Sequence, residues 1–203
     1  YVFLAEAILE LASVRFDADE LRFGGELLDV VLDHFADRER GGFYFTAAGH
    51  ETLIARPKSF GDEALPAGNG IAAVVLQRYG FLLGETRYLD AAERTLRAAW
   101  APLREYPPGH ASLLQALEEM LQPPVIVILR GPAELIEEWR RVLAPVYAPR
   151  RIVLAVPADC AGVPPAIAAK QPLPGGVAYV CRGSLCSAPL ASLAELVAEL
   201  ATG

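Results

Sequence analysis

Two carboxylates and two cations fall close together in Arg56-Pro-Lys-Ser-Phe-Gly-Asp-Glu-Ala-Leu-Pro-Ala-Gly-Asn-Gly70. A carboxylate can take a proton from a substrate while a neighbouring cation stabilises the negative charge that develops. Asp62 and Glu63 are therefore candidate catalytic bases, and Arg56, Lys58 and Asn69 are candidate substrate contacts. Two prolines and three glycines give the stretch an irregular backbone, and polar groups on loops held by flanking helices are where sites tend to sit. A structural reading uses the same atoms. Asp62 can pair with Arg56 or Lys58 to pin the loop, and Asn69 can cap the helix that follows.

His50, beside Glu51, is the histidine nearest this stretch and a third candidate acid or base. His34 and His110 share no ligand spacing with it, so no metal is expected. Cys181 and Cys186 form a Cys-x4-Cys pair, neither a redox Cys-x2-Cys nor a complete zinc set. They read either as a redox pair or as two semi-buried thiols at a strand end. With Cys160 they make three cysteines, which is no disulfide framework and fits a reducing, cytoplasmic setting. No Gly-x-Gly-x-x-Gly or phosphate-loop pattern follows the apolar run at 125–129, so no nucleotide or other cofactor is expected.

The elements that must position these residues follow from hydrophobic spacing. Val2 to Ala12 and a segment capped at Asp17 read as amphipathic helices. Gly24-Gly25 lies inside the second of them and offers close helix approach. Gly41-Gly-Phe-Tyr-Phe-Thr46 reads as a short extended segment leading to the loop. Ile71 to Leu83 is apolar on most sides and predicts a buried helix. Thr86 opens a fourth helix, and His110 to Leu121 forms a fifth. Pro123-Pro124 marks a domain boundary, giving domains 1–122 and 123–203. Beyond it, apolar strands at 125–129, 151–156 and 177–181 alternate with helices, which predicts a small covered sheet.

Charge divides unevenly across that boundary. Residues 1–122 carry 19 acids and 11 bases, whereas residues 123–203 carry 6 acids and 7 bases. Neither part has the clustered basic face that nucleic-acid binding needs. No apolar run is long enough for a membrane span, and no secretory leader is visible. The sequence opens directly in a helical pattern at Tyr1, as expected of a chain cut from within a larger protein.

The segments Gly41-Gly-Phe-Tyr-Phe-Thr, His50-Glu-Thr-Leu-Ile-Ala-Arg-Pro-Lys-Ser and Pro66-Ala-Gly-Asn-Gly resemble those of the YyaL-like proteins, relatives of spermatogenesis-associated protein 20. The tail Tyr179-Val-Cys-Arg-Gly-Ser-Leu-Cys-Ser-Ala-Pro189 resembles the same family. Arg56, Pro57, Lys58, Asp62, Pro66, Gly68 and Asn69 match its central motif, while Ser59, Phe60, Glu63, Ala67 and Gly70 depart from it. The family joins a thioredoxin-like domain to an (α/α)6-toroid similar to that of N-acylglucosamine 2-epimerase and the six-hairpin glycosidases. The resemblance implies a mainly α protein: a partial (α/α)6-toroid of helical hairpins followed by a small α/β domain. It implies sugar binding or isomerisation in a toroid cavity. The alternative is a non-catalytic module of a thioredoxin-linked redox or interaction protein. Half a toroid would expose apolar helix faces, so self-association or docking to a missing N-terminal part is expected.

Overall fold

Ile71-Ala-Ala-Val-Val-Leu76 has no polar side chain, and Tyr79 and Leu82 extend the apolar surface around the helix. Such a helix has no face to offer water and must be enclosed. The computed structural model, which describes residues 1–49 and 54–202, encloses it within the first of two compact units. That unit comprises Tyr1–Ile8 and Phe23–Gln122, and the second comprises Leu9–Arg22 and Pro123–Gly203. Two helices, α1 (Val2–Ala12) and α2 (Ala18–His34), contribute residues to both. Asp17 caps α2 by accepting from the N–H groups of Asp19 and Glu20.

The helical unit continues with α3 (Gly68–Leu83), α4 (Thr86–Glu105), a 3-10 turn (Pro107–His110) and α5 (Ala111–Leu121). Of the 16 residues of α3, 13 are buried, and the helix packs against both α4 and α5. Three polar side chains in this core are satisfied locally. Gln77 donates to the carbonyls of Ala73 and Ala116, and Arg78 pairs with Glu119 at 2.7 Å. Tyr79 donates to the Ala5 carbonyl at 3.2 Å, in space that Gly24 leaves open. A Cβ on Gly24 would stand 2.0 Å from the tyrosine oxygen.

The expected partial toroid is overturned. The described residues form an α/β mixture of eight α-helices and a four-stranded mixed sheet. Apolar spacing identified the helices, but it carries no information on which helix packs against which.

In the second unit, β1 (Val125–Gly131) leads through α6 (Ala133–Leu143) to β2 (Arg151–Pro157), which pairs parallel with β1. A parallel pair needs such a crossover, and α6 supplies it. After the short α7 (Pro165–Ala168), β3 (Val177–Arg182) pairs antiparallel with the other side of β1. A two-residue β4 (Leu185–Cys186) pairs with β3, and α8 (Leu193–Ala201) follows. The strand order is β2-β1-β3-β4. Val127, Leu129, Ala178 and Val180 share one face with the apolar side chains of α6 and α8, including Trp139 and Leu196. Burial of β1 on both faces explains its continuous apolar run.

Candidate functional site: an aromatic cavity beside the 56–70 loop

The loop before α3 is held by three polar anchors, each built from residues the sequence singles out. Asp62 is the first. Its carboxylate accepts from the N–H of Ala67 at 2.7 Å, from the N–H of Ser112 at 2.9 Å, and from the Ser112 hydroxyl. Ala67 precedes α3 and Ser112 lies in the first turn of α5, so one carboxylate serves two helix N-termini. Burial pushes this carboxyl up, but the hydrogen bonds from Ala67 and Ser112 outweigh it and hold it below the ordinary carboxylate range. A carboxylate so stabilised is a poor proton acceptor near neutral pH.

Lys58 is the second anchor. Its ammonium pairs with Asp37 at 2.7 Å and donates to the Gly41 carbonyl at 2.9 Å. Asp37 is buried, and it also accepts from the Tyr44 hydroxyl and from the N–H groups of Glu39 and Arg40. The Lys58 hydrogen bond, with those of Arg40, Tyr44 and Glu39, holds the Asp37 carboxyl far below its usual range against the opposing effect of burial. The same contact with Asp37 raises the Tyr44 phenol.

Asn69 is the third. It is buried, accepts from the Phe43 N–H at 2.7 Å and donates to the Phe43 carbonyl at 2.9 Å. Its amide also donates to the Ser59 carbonyl at 2.8 Å, so one side chain bonds both the Gly41-Gly42 turn region and the loop. Gly41 and Gly42 have φ of 77° and 75°. A Cβ at Gly41 would meet the Arg94 carbonyl oxygen at 2.5 Å, so the turn tolerates no side chain there.

Arg56 stacks over the Tyr44 ring at 4.1 Å and donates to the Thr46 carbonyl at 2.7 Å. Glu63 differs from the other candidates: it is exposed, and its carboxylate has no partner among the described residues. His50 lies outside the described residues. The structure thus gathers Arg56, Lys58, Asp62 and Asn69 into one loop region but commits them to holding it. Asp62 pairs with neither Arg56 nor Lys58, and Asn69 binds a distant backbone rather than capping α3.

Beside these anchors opens a cavity of about 610 Å³ within the helical unit. Phe35, Phe43, Tyr44 and Phe45 wall one part of it, Leu65 and Pro66 another, and Ser59 and Glu63 bring polar groups to it. Phe45 is 83% exposed and Leu65 73%, an unusual exposure for large apolar side chains flanking a cavity. Sequence reasoning missed this wall. Phe43-Tyr-Phe45 was legible only as an extended segment, although three aromatics in a row after a Gly-Gly turn are a signal of their own. Asp37 and Ser112 were missed as well, because nothing local ties them to residues 21 and 50 positions away.

In the second unit, Cys181 and Cys186 form a disulfide, which corrects the reading as two semi-buried thiols and leaves the reading as a redox pair standing. Hairpin register is the reason. Gly183 takes φ of 60° in a two-residue turn, Arg182 pairs with Leu185, and Cys181 falls opposite Cys186. Cys160 remains free.

No group of histidine, cysteine and acidic side chains suited to a metal occurs among the described residues. No helix there is long and apolar enough to cross a membrane. No family model matches the chain, and no curated protein matches it.

Proposed function

We propose that the helical unit binds a carbohydrate in the cavity beside the 56–70 loop, without turning it over. The observation that carries this reading is the aromatic wall of Phe43, Tyr44 and Phe45 facing a cavity with a free carboxylate, Glu63. Aromatic faces pack against the C–H faces of a pyranose, and a few placed polar groups fix its hydroxyls. Binding without turnover is the reading because Asp62 is saturated with hydrogen bonds and Lys58 is committed to Asp37, which takes both out of acid–base work. Glu63 then serves as a hydroxyl acceptor, and Ser59 as a second polar contact.

The test is a calorimetric or thermal-shift titration with monosaccharides, N-acetylated sugars and sugar phosphates. Saturable binding is expected, weakened about tenfold or more in Phe45→Ala, since an aromatic contact contributes on the order of 1 kcal/mol beyond its buried area. Glu63→Gln should weaken it less. Binding of no sugar, or binding indifferent to both substitutions, overturns the reading.

A further inference from the structure

The Cys181–Cys186 disulfide links two residues of one hairpin and closes a loop of only six residues. Loops this short had little freedom to lose, so the bond constrains the unfolded chain far less than a long-range staple does. Other contacts also hold the folded hairpin. Arg182 and Leu185 pair across the turn, and the Ser187 N–H donates to the Val180 carbonyl at 2.8 Å on the other side of the cysteines. The remaining edge of β3 is held by β1 along six residue pairs. Breaking the sulfur–sulfur bond would therefore free nothing larger than β4.

The two sulfurs stand in different surroundings. Cys181 is buried in β3, whereas Cys186 is exposed on β4, the outermost strand of the sheet. Access decides which sulfur of a disulfide a thiolate attacks, and exposed disulfides are the labile ones.

We infer that this pair is a thiol–disulfide exchange site whose substrate is a dithiol. One thiolate of the dithiol attacks the Cys186 sulfur, the Cys181–Cys186 bond breaks, and Cys181 leaves as a thiolate that takes a proton from water. The second thiolate of the dithiol then attacks the dithiol's first sulfur, breaking the mixed disulfide, and Cys186 leaves as a thiolate that likewise takes a proton from water. The dithiol ends oxidised to its disulfide, and the protein ends with two thiols. The two electrons lost by one are gained by the other, and an oxidised dithiol returns the pair by the reverse steps. The site lies wholly within the α/β unit and is independent of the carbohydrate reading.

Two measurements on the full chain test this. In the first, the native protein is equilibrated with reduced and oxidised dithiothreitol in varying ratio, quenched with acid, alkylated and peptide-mapped, with far-UV circular dichroism in parallel. Complete reduction of Cys181 and Cys186 without denaturant, with the dichroism unchanged and reversal in oxidised dithiothreitol, is the expected result. A pair that stays oxidised until denaturant is added overturns the inference. So does a loss of dichroism on reduction, which would make the bond a staple. In the second, Cys181→Ser and Cys186→Ser are exposed to glutathione disulfide. Cys186 in the first variant should be glutathionylated at least tenfold faster than Cys181 in the second; equal rates, or the reverse order, overturn it.

Discussion

Asp62 and Ser112 are joined twice, through the hydroxyl and the backbone N–H of the serine, both donating to the one carboxylate. The bond ties the loop before α3 to the start of α5, fifty residues further on. A side chain that looks catalytic in the sequence is a brace in the fold.

Replacing Asp62 by alanine removes three hydrogen bonds and leaves the Ala67 and Ser112 N–H groups without their acceptor. A loss of about 2–3 kcal/mol is expected, in line with a lost cap plus unsatisfied donors. Urea unfolding monitored by circular dichroism would check it. A change below about 0.5 kcal/mol would be the size of an ordinary surface substitution and would contradict the brace.

Acid should act through Asp37. Its ordinary value is 3.8 and the folded protein holds it well below that, so native Asp37 stays ionised where the unfolded chain has begun to take up a proton. Its contribution is complete above about pH 5 and declines as the pH falls through 3.8 toward the lower folded value. Asp37→Asn should lower stability at pH 7 by about 3 kcal/mol, because it strands the half-buried Lys58, and should flatten the acid limb of the stability curve. Parallel acid limbs in the two proteins would show that other groups dominate.

Gly41→Ala incurs two costs that act in the same direction. The positive φ disfavours any side chain, and the Arg94 carbonyl oxygen stands 2.5 Å from the added carbon. Backbone atoms cannot move aside as a flexible side chain can, so a loss of more than about 1 kcal/mol is expected, the cost of strain at such a backbone position. Thermal unfolding would report it, together with weaker saccharide binding as Phe43 to Phe45 shift.

Arg78 and Glu119 form an ion pair whose side chains are 6% and 0% exposed. Glu119→Gln should cost roughly 3–5 kcal/mol, the cost of breaking a buried ion pair by neutralising one of its members. The double substitution Arg78→Met, Glu119→Leu should recover most of that loss. If the double variant is no more stable than the single one, the pair contributes more than its charges.

What the sequence made legible is what depends on neighbours along the chain. The run Val125 to Leu129 announced a strand buried on both faces, and Ile71 to Leu83 announced an enclosed helix, because each pattern is written in consecutive residues. Partnership was not legible. Lys58 reaches an aspartate 21 residues earlier, Tyr79 reaches a carbonyl 74 residues earlier, and no spacing encodes either. The toroid expectation came from the family resemblance of short loop segments, and such segments carry no record of how the helices around them pack. The cysteines are a different case. Gly183-Ser184 between Arg182 and Leu185 is a two-residue hairpin signal, and that turn sets Cys181 opposite Cys186.

The α/β unit takes Leu9–Arg22 from near the start of the chain and everything else from Pro123 onward. During synthesis the early piece leaves the ribosome about a hundred residues before the strands of its own unit. The intervening helices are made before the rest of its own unit exists. A gene fragment beginning at Pro123 would encode the whole sheet yet lack Leu9–Arg22, so soluble expression of that fragment should require supplying the missing peptide.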